Sequence, residues 1–128
     1  MSDFNSEKNR AVWFDIPVVD LERAGVFYAS VLGIKVQQEE YEGCHFGILE
    51  HQDGNGGCLF ENSKEVSSDR GILVYFNVDK RIKNAVSQVA KHGGTVIKDI
   101  HAIGQHGFRA IAIDSEGNRI ALHSTIDT

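Results

Sequence analysis

The chain has 128 residues, 41% hydrophobic and 24% charged, with a formal net charge of −5. That length suits one domain, because two units of half the size would each bury too little surface alone. The acidic balance, without clustered Lys and Arg, excludes a phosphate-neutralising surface and hence nucleic acid as a partner; no run of about 18 apolar residues is present to enter a membrane.

In chain order, residues 1–10 are polar and charged, lack the apolar stretch of a secretory signal, and read as a flexible lead-in. Ala11 to Val18 reads as a strand with Pro17 near its end, where a missing backbone donor is tolerated. Asp20 stands at the N-cap of a helix whose Leu21, Ala24, Phe27, Tyr28, Val31 and Leu32 recur with helical period, and Gly33 ends it. Ile34 to Glu40, His45 to Glu50 and Gly57 to Glu61 read as strands, the last two joined across the turn Asp53-Gly54-Asn55-Gly56. Asn62 to Arg70 is a polar connection.

The order then repeats. Ile72 to Val78 is a strand and Asp79 the expected N-cap of a helix with Ile82, Ala85, Val86, Val89 and Ala90 on one face, closed by Gly93-Gly94. Thr95 to Asp99, Phe108 to Ile113 and Arg119 to His123 are strands, the last pair joined by Ser115-Glu116-Gly117-Asn118. At one constant offset Val18 falls on Val78, Ala29 on Val89 and Gly33 on Gly93. A βαβββ unit written twice gives an α+β fold with pseudo-two-fold symmetry, and such symmetry places a shared cleft between the copies. Cys44 and Cys58 have no CxxC spacing and read as reduced, small core residues of a cytoplasmic protein.

The segments Pro17 to Ala24, Phe27-Tyr28, Val31-Leu32-Gly33, Tyr75 to Asp79 and Asp114 to Ile120 resemble, in this order and spacing, the vicinal oxygen chelate superfamily. That superfamily contains glyoxalase I, extradiol dioxygenases, and fosfomycin- and bleomycin-resistance proteins; the chain is most similar to its glyoxalase-like branch. The resemblance implies a single domain over 11–125, built from module one at about 11–62, a linker at about 63–70 and module two at about 71–125. Each module is a cupped half-barrel with its helix on the convex side. Family members commonly form homodimers, and metal-dependent ones use a divalent cation to activate vicinal oxygens.

Carried onto this chain, the family's metal-ligand positions fall on Trp13, Leu73, Ala121 and near Leu59. These side chains supply no suitable donor atoms, so no cofactor is expected, with a divalent metal in a shifted site as the alternative. Strand alternation puts Trp13, Asp15, Leu73, Tyr75, Asn77, Ala121 and His123 on the concave face, joined by His45, Gly47, Leu49 and Glu61, while Phe46 and Ile48 point to the helices. Three roles stay open for Asp15, Glu61, Tyr75 and His123. They form a satisfied hydrogen-bond network, or hold a shifted cation, or act catalytically with His123 as general base, Tyr75 as acid or oxyanion donor and Asp15 orienting His123. Trp13, His45, Glu61, Leu73 and, from the loop before Phe108, His106 are the ligand-binding candidates. Small-molecule binding, a lyase or isomerase reaction, and an interaction module with a filled cleft are the three functional readings.

Overall fold

The computed structural model describes residues 9–128; residues 1–8 of the expected lead-in lie outside the described residues. The elements are β1 (Asp15–Val18), α1 (Leu21–Leu32), β2 (Val36–Tyr41), β3 (Cys44–Leu49) and β4 (Cys58–Glu61), then β5 (Val74–Asn77), α2 (Ile82–Lys91), β6 (Thr95–Ala102), β7 (Phe108–Ile113) and β8 (Arg119–Ser124). They make two four-stranded sheets of the same topology, β1-β4-β3-β2 and β5-β8-β7-β6. The outer pairs β1–β4 and β5–β8 are parallel and the others antiparallel. The fold is α+β, with the βαβββ order expressed twice. No helix among the described residues is long and apolar enough to cross a membrane.

Helix α1 forms as its sequence dictates. The Asp20 side chain accepts a hydrogen bond from the Arg23 amide, and Gly33 takes a left-handed φ of 66° that a Cβ would disfavour. Leu21, Ala24, Phe27, Tyr28 and Val31 are buried. The second helix departs from expectation. It begins at Ile82, with Arg81 rather than Asp79 at the capping position. Asp79 instead accepts hydrogen bonds from the amide and hydroxyl of Thr125 and the hydroxyl of Ser124, and Lys80 turns the chain at a φ of 65°. Two residues thus separate the carboxylate from the helix it was expected to cap. The strand read as starting at Ala11 starts at Asp15, and the one read as ending at Asp99 runs on to Ala102.

The face assignment in module one is corrected by the register. Gly47 pairs with Leu59 and Phe46 with Phe60, while Asp15 pairs with Cys58 and Val18 with Glu61. Directly paired residues share a face, and Leu49 and Leu59 are buried in the core. Gly47 and Leu49 therefore lie under α1, and Phe46 and Ile48 line the concave side. A Cβ at Gly47 would stand 2.9 Å from the Val36 side chain of the neighbouring strand β2, with Leu21 of α1 at an ordinary 3.6 Å. In module two Tyr75, Asn77, Ala121 and His123 share the concave face as expected.

One continuous core joins both modules. It runs from Ile16, Val18, Phe27 and Tyr28 to Phe76, Val78, Ile82, Val89, Ile120 and Leu122, with Phe14 edge-on to Phe76 at 5.8 Å between ring centroids. The turn between β7 and β8 reaches across to α1. Glu116 accepts from the amides of Val19 and Asp20 and from Arg23 at 2.7 Å. The Tyr28 hydroxyl donates to Asp114 at 2.5 Å, and the Asn118 amide donates to the Pro17 carbonyl at 2.7 Å. Of the two cysteines, Cys58 is buried as expected, whereas Cys44 is exposed at the start of an edge hairpin; both are free thiols.

Candidate functional site

The concave face of module two holds a cavity of about 540 Å³ lined by Tyr75, Phe76, Asn77, Ile103, His106, Arg109 and His123. Strand alternation delivers its polar groups. Tyr75 and Asn77 project from β5, His123 from β8 and Arg109 from β7, where Arg109 pairs with His123 on one side and His101 on the other. His106 enters from a single 3-10 turn, Gly104–His106, before β7.

The hydrogen bonds fix the chemistry of these groups. Arg109 donates from Nη1 to the Tyr75 hydroxyl at 2.6 Å and from Nε to His101 Nε2 at 3.1 Å. His101 Nδ1 lies 2.8 Å from the Asp99 carbonyl. A carbonyl only accepts and a guanidinium only donates, so His101 is neutral with its proton on Nδ1. His123 Nε2 is 2.6 Å from the His106 carbonyl. That nitrogen donates, so the neutral tautomer compatible with this bond carries its basic lone pair on Nδ1. Tyr75 is 47% exposed; its ring stands 6.5 Å from His123 and 5.9 Å from the Arg109 guanidinium.

The other candidates are placed elsewhere. Asp15 does not orient His123. It accepts hydrogen bonds from the Trp13 indole and the Cys58 thiol, each at 3.2 Å, on module one. Trp13 also meets His51 edge-on at 6.0 Å. His45 shares the helix side of β3 with Gly47 and Leu49, is exposed, and sits 3.2 Å from Glu40. Glu61 pairs with Val18 and so lies on the convex side, exposed to solvent. Neither belongs to the cup. Leu73, half-buried, precedes β5 on the same alternation as Tyr75. A second cavity of about 440 Å³ lies between the modules, against Phe14, Asp15, Val74, Asn118, Arg119 and Ile120.

Arg109 is the site residue that sequence reasoning passed over. The available signal was one arginine in the otherwise apolar run Phe108-Arg109-Ala110-Ile111-Ala112-Ile113 of a central strand. A cation there needs a partner or a purpose.

The donor set was tested for a divalent metal. Trp13 and Leu73 offer no ligand atom, Ala121 is fully buried, and Leu59 is in the core. Cys58 is the thiol facing the cup, but burial and its bond to Asp15 push it up to about 12, which disfavours the thiolate a metal requires. Among the described residues no group of three or more His, Cys, Asp or Glu could hold an ion. The residues at the family's ligand positions do not fit a metal.

Comparison with known proteins agrees with the fold. The model of the Glyoxalase/Bleomycin resistance protein/Dioxygenase superfamily matches residues 10–122. A glyoxylase-like domain-containing protein of Didymella fabae is 30% identical over 115 residues, spanning 84% of this chain and 88% of that one. A glyoxalase/bleomycin resistance protein/dioxygenase family enzyme from Burkholderia phytofirmans PsJN superposes with a TM-score of 0.69 at 20% identity, covering 88% of this chain and 96% of its own. The genomically encoded fosfomycin resistance protein FosX of Listeria monocytogenes gives 0.68 at 12% identity, covering 91% and 93%. At those identities the two structures speak for the fold alone. From the duplicated βαβββ architecture, the family-model match and the Didymella relative together, this chain belongs to the glyoxalase/bleomycin resistance/dioxygenase superfamily.

Proposed function

We propose that this protein binds a small organic molecule against the concave face of module two, without a resident divalent metal. The observation that carries the reading is the cavity of about 540 Å³, where Ile103 and the Tyr75 ring meet a few convergent polar groups from Asn77, His106, Arg109 and His123. That volume and that mixture suit a small ligand. The non-ligating residues at the family's metal positions support the metal-free part. An amide-resolved NMR screen of small aromatic fragments tests it. Binders should shift Tyr75, Arg109 and His123, and Ile103→Trp, which fills the cavity, should abolish the shifts. Binding that survives Ile103→Trp, or stoichiometric Mn, Ni, Zn or Fe retained through dialysis, overturns the reading.

A second reading, acid–base turnover of the bound molecule, draws on His123. Its Nε2 is committed to a carbonyl, so Nδ1 carries the basic lone pair beside the Tyr75 ring. A His123→Ala protein that binds a ligand but no longer transforms it supports this; unchanged turnover removes it.

We also propose a homodimer. β1 and β5 each stand at the end of their sheets, and Ile72, next to β5, is 89% exposed; unpaired strand edges flanked by apolar residues favour pairing with a second copy. Light scattering should give twice the 14.1 kDa of one chain, and a monomer at micromolar concentration refutes it.

A further inference from the structure

We infer that the module-two cavity takes a small carboxylate on an apolar body, its negative charge seated on the Arg109 guanidinium; this rests on the reading of that cavity as a small-molecule site. Arg109 sits on an interior strand, half-buried, with its head in the cavity. Its two bonds go to Tyr75 and to neutral His101. Both acceptors are uncharged, so they position the guanidinium without neutralising it. Three of its five N–H donors have no protein acceptor among the described residues.

No carboxylate among the described residues answers this charge. The polar groups around it are Tyr75, Asn77, His101, His106 and His123. Asp99, the acidic residue nearest on β6, gives its carbonyl to His101 and its carboxylate to the Ile100 amide. Among the described residues no carboxylate pairs with this cation. An unpaired cation beside apolar walls is costly unless a ligand completes it. The Tyr75 hydroxyl accepts from Arg109 and therefore keeps its own O–H to donate. Arg109 and Tyr75 together present charge-assisted donors to one anionic group, and Ile103 and the face of the Tyr75 ring supply apolar wall for the rest of the molecule.

The test uses the full chain and three probes of nearly equal shape: benzoate, benzamide and benzylammonium. Amide NMR titrations should show benzoate shifting Tyr75, Arg109 and His123 and binding at least about tenfold more tightly than benzamide, with benzylammonium weakest. Arg109→Met should erase the preference for benzoate, and Tyr75→Phe should reduce it while leaving Arg109 in place. The wild-type ranking of the three probes stands whether or not the variants fold. If benzamide or benzylammonium matches benzoate at the same amides, the carboxylate inference falls and the small-molecule site survives. If none of the three shifts those amides, both fall.

Discussion

At the scale of single residues, the cup of each module is decided by which side chain a hydrogen bond has already claimed. In module one Asp15 is claimed by Trp13 and Cys58, and the thiol of Cys58 is held up to about 12 by burial and that carboxylate. Cys58 should therefore be inert and exposed Cys44 reactive. Titration with a thiol-reactive disulfide at neutral pH is expected to count one thiol per folded chain and two after denaturation. Two fast equivalents in the native protein would contradict the burial. In module two Arg109 is claimed only by neutral partners, so its charge is not neutralised by the side chains it bonds within its own site.

Among the elements, two adjacent glycines at the end of α2 serve different physical ends. Gly93 takes a φ of 93°, whereas Gly94 is needed for space: a Cβ there would stand 2.6 Å from the Ile113 carbonyl oxygen and 2.7 Å from Phe27. Gly94→Ala should destabilise the fold by about 2 kcal/mol, since the backbone of β7 must give way; urea unfolding measures it, and an unchanged midpoint contradicts the packing. The helix and strand periods of both modules were legible because apolar spacing is a local signal, whereas the capping signal held for α1 alone. Asp20 and Gly33 announced α1 at both ends. The sheet faces of module one were not legible. Phe46, Ile48 and Phe60 are apolar on one side and Leu49 and Leu59 on the other, so alternation carries no sign when both faces exclude water. Gly47 misled further, because the space above it is taken by the Val36 side chain of β2 on the helix side rather than left as an empty wall. The candidate site was half legible for a related reason. Tyr75, His106 and His123 stood out as polar residues, while the meeting of Arg109 with His101 depends on the strand register around a bulge in β6.

Across the whole molecule, Glu116 fastens module two to the start of α1. Its side chain is fully buried and bonded to Arg23, which is half exposed. Burial alone pushes the carboxyl up, but bonds from Arg23, the Asp20 amide and Ser115, with the Arg23 charge, outweigh it and hold it below its ordinary 4.5. A depressed carboxyl contributes stability that is complete above 4.5 and is lost as pH falls through the lower folded value. Asp79, held down by Thr125, acts in the same direction from its ordinary 3.8. Stability should thus fall below pH 4.5, and Glu116→Gln should flatten that fall while costing about 2 kcal/mol at neutral pH, because its amide group would face backbone donors. Denaturant midpoints of both proteins across the acid range check this; a parallel decline would assign the acid sensitivity to other groups.

The short turn from Asp114 to Asn118 binds Tyr28, Pro17 and the Val19 and Asp20 amides just ahead of α1, all in the opposite half of the chain. Neither copy of the repeat is therefore self-sufficient, although each has its own sheet and helix. Exchange protection at Val19 and Asp20 should vanish and reappear together with that of the distant β7–β8 hairpin. A fragment ending before Gly71 should leave α1 frayed at its start, and the intact chain should melt in one step.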